Sequence, residues 1–151
     1  MADKMKLHFS DVKQRFEHFE TDEVFDLIIC ITRGGLMPAG LLAYKLNIKD
    51  IVNVKIESYE DTCLGGTQHS IKLDSINDFD LEKIKNAEKV LIVDDIYDTG
   101  LTIKTLKYEL AEHFDLEKFK TFCIVEKRHG AVDYSLFTIT DDSWIVFPWD
   151  F

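Results

Sequence analysis

The stretch VLIVDDIYDTGLT, residues 90–102, has residue types and spacing suited to chemistry. Four apolar residues give way to two adjacent acids, Asp94 and Asp95, so a carboxylate pair emerges where a buried strand ends. Asp98, Thr99, Gly100, Leu101 and Thr102 then occupy a turn that opens a helix. Glycine lets a ligand approach the backbone, while hydroxyls and unbonded amides at a helix start form a nest for phosphate. Acids beside a phosphate nest conflict electrostatically unless positive charge lies between them. A magnesium-bound sugar with its hydroxyls facing Asp94 and Asp95 resolves that conflict. An acid pair at a strand end also fits a plain strand terminus; the DTG and Thr102 at the helix start are what favour a ligand site. The pattern is neither GxGxxG nor GxxxxGK[ST].

Three strands are expected to carry these and other polar turns: TRGG at 32–35, DDIYDTG at 94–100 and EKRHG at 126–130. Residues 8–20 read as a helix capped by Ser10, with Val12, Phe16 and Phe19 at helical spacing. A strand over 24–32 leads into the RGG turn, and Pro38 opens a helix over 38–47. A second strand covers 51–57, and the polar stretch 58–78 reads as an irregular excursion or a flexible hairpin. A short helix near 80–86, the strand KVLIVDDI, a helix over 102–114 and a strand over 119–126 follow, then a weaker strand over 132–139 and the ending DDSWIVFPWDF. Strands alternating with helices predict an α/β fold with a mainly parallel twisted sheet flanked by helices. Ligands in such sheets gather beyond the strands' carboxyl ends, where strand order reverses.

A length of 151 residues, 46% of them apolar, predicts one domain, 1–151, with a proper core. The formal charge of −10 is a poor match for a polyanion, so nucleic acid is not an expected partner. Small anionic substrates remain compatible with it, because backbone amides and a metal can hold phosphate in an acidic protein. Cys30, Cys63 and Cys123 suggest neither a disulfide framework nor a zinc site. The amino terminus lacks a signal-like apolar stretch and no apolar run spans a membrane, which points to the cytoplasm.

The 90–102 segment resembles the signature of the type I phosphoribosyltransferases, which bind 5-phosphoribosyl pyrophosphate (PRPP): four apolar residues, two acids, two variable residues, then D-T-G-x-T. That resemblance implies that Asp94 and Asp95 hold the ribose hydroxyls, and that Asp98, Thr99, Gly100, Leu101 and Thr102 hold the 5-phosphate. It also implies that Arg33, Gly34 and Gly35 meet the pyrophosphate, often through a strained or cis peptide. Taken alone, TRGG also fits an ordinary turn with a surface arginine. Within the family the chain is most similar to the short bacterial xanthine-guanine enzymes, through RGGLMPAGLLAYKL, the SYE at 58–60, the PRPP segment and DDSWIVFPWD.

What the resemblance implies for the acceptor is a 6-oxopurine (xanthine, guanine or hypoxanthine). Lys127 would point at its 6-oxygen, Trp144 would stack on the ring, and the Ile145 backbone would meet position 2. A lysine donates to an oxo group and cannot accept from an amino group, which disfavours adenine. Arg128 and His129 rival Lys127 as ligands, and Phe147 and Trp149 read as packing residues. Further implications are Mg2+ with Asp94, Asp95 and Asp150 around it, Asp98 as the catalytic group near the base, and a homodimer or homotetramer serving purine salvage. The products would be a nucleotide and pyrophosphate. The chain departs from its relatives in the 58–78 segment, which offers only His69 and Lys72 as cationic or proton-bearing candidates. Rival readings are a non-catalytic sensor of PRPP or nucleotide on the same fold and a receiver-like domain using its acid pair for magnesium.

Overall fold

The computed structural model describes residues 3–63, 66–73 and 75–151, and side chains outside 58–74. In chain order the elements are β1 (Lys4–Lys6), α1 (Phe9–His18), β2 (Leu27–Thr32), α2 (Leu36–Lys45), β3 (Ile51–Cys63), β4 (Gly66–Leu73), α3 (Asp78–Asn86), β5 (Val90–Tyr97), α4 (Leu101–Ala111), a 3-10 turn (Leu116–Lys118), β6 (Phe119–Glu126), β7 (Tyr134–Thr138) and β8 (Trp144–Val146). Six strands form one sheet in the order β4-β3-β2-β5-β6-β7, all parallel except the β3–β4 pair. The expected mainly parallel α/β architecture is what the chain adopts.

β2 and β5 are continuous apolar runs because helices cover both faces of the sheet. Their alternate residues feed two cores. Ile28, Cys30, Leu91 and Val93 join Val12 and Phe16 of α1 and Leu42 of α2 on one face. Leu27, Ile29, Ile31, Val90 and Ile92 join Ile84 of α3 and Ile103, Leu106 and Leu110 of α4 on the other. This period-two division makes β2 and β5 the rigid centre on which the polar turns are mounted.

Several boundaries differ from the sequence-based expectation for identifiable reasons. The first helix begins after His8, whose backbone N–H donates to the Asp11 carboxylate at 3.0 Å, so Ser10 lies inside the first turn and is not the cap. β2 starts at Leu27 because Asp26 turns its carboxylate to the Glu88 and Lys89 amides, at 2.9 Å each, and leaves Val24 exposed. Pro38 sits in the first turn of α2, two residues later than the start it was expected to mark. The 58–78 stretch takes the hairpin form of the two that were expected. β3 runs on to Cys63 and β4 returns antiparallel to it, in register from Ile56↔Leu73 to Cys63↔Gly66. The side chains of His69 and Lys72 lie outside the described residues.

β1 was not expected at all. It pairs in parallel with β8, Met5 opposite Ile145, and so ties the two ends of the chain together. All three of its residues are exposed, so no apolar alternation announces it. Among the described residues, no helix is long and apolar enough to cross a membrane.

Candidate active site

β2 and β5 are neighbours, yet the chain leaves β2 towards β3 on one side and leaves β5 towards β6 on the other. The turns after these two strands therefore part and leave a crevice at the switch point. Arg33 and Gly34 from the first turn and Asp95 from β5 line a pocket of about 730 Å3 there, with Leu36, Met37, Trp149, Asp150 and Phe151. Asp94 to Gly100, Thr102 and Ile103 line an adjoining recess of about 180 Å3.

The two turns are pressed together. A Cβ added at Gly34 would lie 2.7 Å from the Asp95 carboxylate, and one at Gly35 would lie 2.5 Å from the Val93 carbonyl oxygen. Only glycine allows that approach. The Thr32–Arg33 peptide between strand and turn is cis, and the Arg33 side chain is exposed towards the pocket.

Asp94 is 7% exposed. Burial first, and the neighbouring Asp95 second, push its carboxyl well above the ordinary range. Burial also raises Asp95, with a smaller push from Asp150. Each acid accepts a backbone N–H, Asp94 from Asp95 at 2.9 Å and Asp95 from Ile96 at 2.7 Å. Among the described residues, no lysine or arginine pairs with either. A buried carboxylate beside a half-buried one, with no counter-charge, fits a divalent cation and sugar hydroxyls, which supply the missing positive charge and donors. Cys30 lies close enough to Asp94 that burial and this acid together lift its thiol to about 11, leaving it an inert core residue.

Asp98 and Thr99 are exposed at the tip of the following turn. Gly100 reverses the chain with φ of 83° and α4 begins at Leu101, whose N–H reaches the Thr99 hydroxyl at 3.3 Å. The amides of the first helical turn lack intrahelical partners and aim outward, as a phosphate nest requires. The Tyr97 ring lies directly beneath: a Cβ at Gly100 would collide with its hydroxyl. Gly100→Ala is therefore expected to cost about 1–2 kcal/mol from the left-handed backbone alone, seen as a fall in Tm of about 4 °C. The displaced turn should also raise KM for the phosphate-bearing substrate. A melt and a substrate titration check both, and an unchanged Tm would mean that the turn is not held in this form.

The expected base-side residues arrive from two elements. Lys127 follows β6; its N–H donates to the Tyr97 carbonyl at 2.9 Å and its ammonium donates to the Ser143 carbonyl at 2.8 Å. That second bond seats Lys127 beside Trp144, which is 68% exposed with its indole uncommitted to the core. The Trp144 backbone N–H donates to the carbonyl of Asp3, just before β1, at 2.7 Å, and with the β1 pairing this holds the β8 backbone in place. Ile145 buries its side chain in the core, so only its backbone remains to meet a ligand. Arg128 and His129 are exposed.

Asp150 turns back so that its carboxylate accepts the Phe147 N–H at 2.8 Å, while it still lines the pocket near Asp95. Trp149 stacks on Phe147 with centroids 5.3 Å apart, as packing predicted, and also forms a wall of the pocket. Leu36, Met37 and the Ser143 carbonyl were missed from sequence, since nothing in their spacing marks them. The DDSW segment was the one available signal for Ser143.

The family model for the phosphoribosyl transferase domain matches residues 12–151. Among curated relatives, the xanthine-guanine phosphoribosyltransferase of Chromohalobacter salexigens is 35% identical over 133 residues, covering 88% of this chain and 74% of the relative. That of Idiomarina loihiensis is 33% identical, covering 85% and 73%. Among solved structures, a purine phosphoribosyltransferase from Pyrococcus horikoshii superposes with a TM-score of 0.68 at 26% identity, covering 99% of this chain and 95% of that one. A Neisseria gonorrhoeae protein crystallised with ppGpp gives 0.75 at 23% identity, covering 100% and 91%, and at that identity speaks to the fold alone. With a matching family model over most of its length and relatives at this identity, the chain belongs to the phosphoribosyltransferase family.

Proposed function

We propose that the protein transfers the 5-phosphoribosyl group of PRPP to N9 of a 6-oxopurine, xanthine, guanine or hypoxanthine, and releases pyrophosphate. The observation that carries this is the Asp94–Asp95 pair, without a counter-charge, between a phosphate nest and the Arg33–Gly34 turn at the sheet's switch point. The two xanthine-guanine relatives favour this enzyme over the sensing alternative.

In this reading the amides and hydroxyls of residues 98–102 bind the 5-phosphate, Asp94 and Asp95 take the ribose hydroxyls, and Arg33 with the glycine turn meets the pyrophosphate. Mg2+, held by PRPP together with Asp94, Asp95 and Asp150, would neutralise charge on the departing pyrophosphate oxygens. Lys127, already fixed on Ser143 by one proton, has two more to offer a 6-oxygen. Trp144 covers the ring face, and the backbone of Ile145 borders position 2. As the C1–O bond to pyrophosphate breaks and the C1–N9 bond forms, the purine loses a proton, and Asp98 accepts or relays it at N7. The acids also stabilise the positive charge that develops on the ribose.

The chain would act as one catalytic domain, 1–151, in cytoplasmic purine salvage, assembled as a homodimer or homotetramer. The test is a spectrophotometric assay with PRPP and Mg2+, offering xanthine, guanine, hypoxanthine and adenine separately. Nucleotide formation with 6-oxopurines and not adenine is expected. Bound PRPP with no turnover on any base would overturn catalysis and leave the sensing role.

A further inference from the structure

Glu126, the last residue of β6, is 6% exposed yet carries a carboxylate. Such a group is costly to bury unless donors meet it. Here they come from the loop that follows and from the neighbouring strand. One oxygen accepts the Gly130 N–H at 3.2 Å and the Thr138 hydroxyl at 3.0 Å, and the other accepts the Val132 N–H at 3.4 Å. Gly130, at φ of 72°, folds the chain back so that these amides face inward. The Glu126 carbonyl also accepts the Ile139 N–H at 3.0 Å. The loop 127–132 is therefore wrapped round one buried anion.

Glu126 ends β6 and bonds the loop and Thr138, while Lys127, the next residue and already past the strand, reaches the Ser143 carbonyl beside Trp144. The Lys127 main chain is gripped from both directions, by the Tyr97 carbonyl on one side and the anchored loop on the other. We propose that Glu126 is a positioning residue: by holding the 127–132 loop it aims the Lys127 ammonium and so sets the preference for a 6-oxo over a 6-amino purine. This deepens the 6-oxopurine reading and rests on it.

The experiment measures calorimetric affinities for guanosine 5′-monophosphate, adenosine 5′-monophosphate and ribose 5-phosphate with Mg2+. The proteins are wild type, Glu126→Gln, Thr138→Val, Lys127→Ala and the Glu126→Gln/Lys127→Ala double variant. Glutamine keeps the volume but, in either orientation, turns its N–H2 towards one of the two amides, itself a donor. Glu126→Gln should weaken the guanine nucleotide about tenfold and narrow its margin over the adenine nucleotide, with ribose 5-phosphate unchanged. Thr138→Val, which keeps the carboxylate and removes one donor, should move the same ratio by a smaller factor, and it carries the test if the glutamine variant does not fold. In the Lys127→Ala background the Glu126 effect should vanish.

Equal weakening of all three ligands, an unchanged guanine-to-adenine ratio, or a Glu126 effect that persists without Lys127 would overturn the assignment while the transferase reading stood. A wild type that binds ribose 5-phosphate with no preference for the guanine nucleotide would overturn the 6-oxopurine reading itself, and this inference with it.

Discussion

Asp98→Asn is expected to lower kcat by about a hundredfold or more, the range of a lost proton acceptor, with KM for PRPP little changed. Asp98 is exposed at the tip of the turn between β5 and α4, so asparagine of nearly the same shape leaves the packing and the Gly100 reversal intact. The Leu101 N–H bonds to Thr99, so the first helical turn does not depend on the Asp98 charge. Steady-state kinetics with guanine, alongside a melt, separate the two effects. A variant that keeps wild-type kcat would remove Asp98 from the proton path and direct attention to other groups beside the base.

Asp94→Asn is expected to act in opposite directions on stability and on binding. The Asp94 carboxyl is raised by burial and by Asp95, and the ordinary value of an aspartate is 3.8. A group raised on folding contributes its full stability below that ordinary value and loses it as pH rises through the raised one. As pH rises from that ordinary value the ligand-free protein therefore loses stability that asparagine, neutral throughout, keeps. Without ligand at pH 7.5, the variant should melt about 3 °C or more above wild type, equivalent to about 1 kcal/mol. The gap should close as pH falls towards 4. PRPP with Mg2+ should raise the wild-type Tm, through binding to the native state alone, and move the variant's little. Scanning fluorimetry across pH checks both halves. A wild type that melts above the variant at pH 7.5 would mean that the pair is already compensated in the free protein. Sites of this kind trade stability for binding.

The acid pair and the phosphate turn were legible because they are local. Asp94 to Thr102 span a strand end, one reversal and a helix start, and each piece is specified by neighbours in sequence: an apolar run, a glycine that takes positive φ, and a hydroxyl near unbonded amides. The parallel α/β class was legible for a similar reason, since β2 and β5 are apolar on both faces and alternate with helices. β3 and β4 were less so. ESYEDTC and TQHSIKL carry few apolar residues, so period two had little to register there. β1 was silent, three exposed residues with a partner about 140 positions away.

By itself, then, the sequence determined the chemistry that adjacent residues can assemble: two carboxylates, a phosphate nest and a lysine after a strand. Only the tertiary structure decided which of these meet. Gly34 touches Asp95 because β2 and β5 are neighbours while their crossovers diverge, an order that no local pattern encodes. Lys127 reaches Ser143 because the chain returns after β7 to lay β8 against β1, and Glu126 meets Thr138 because β7 lies beside β6. Local propensity acts over a few residues, whereas these contacts depend on strand order and register across the whole chain, which packing of the two cores selects.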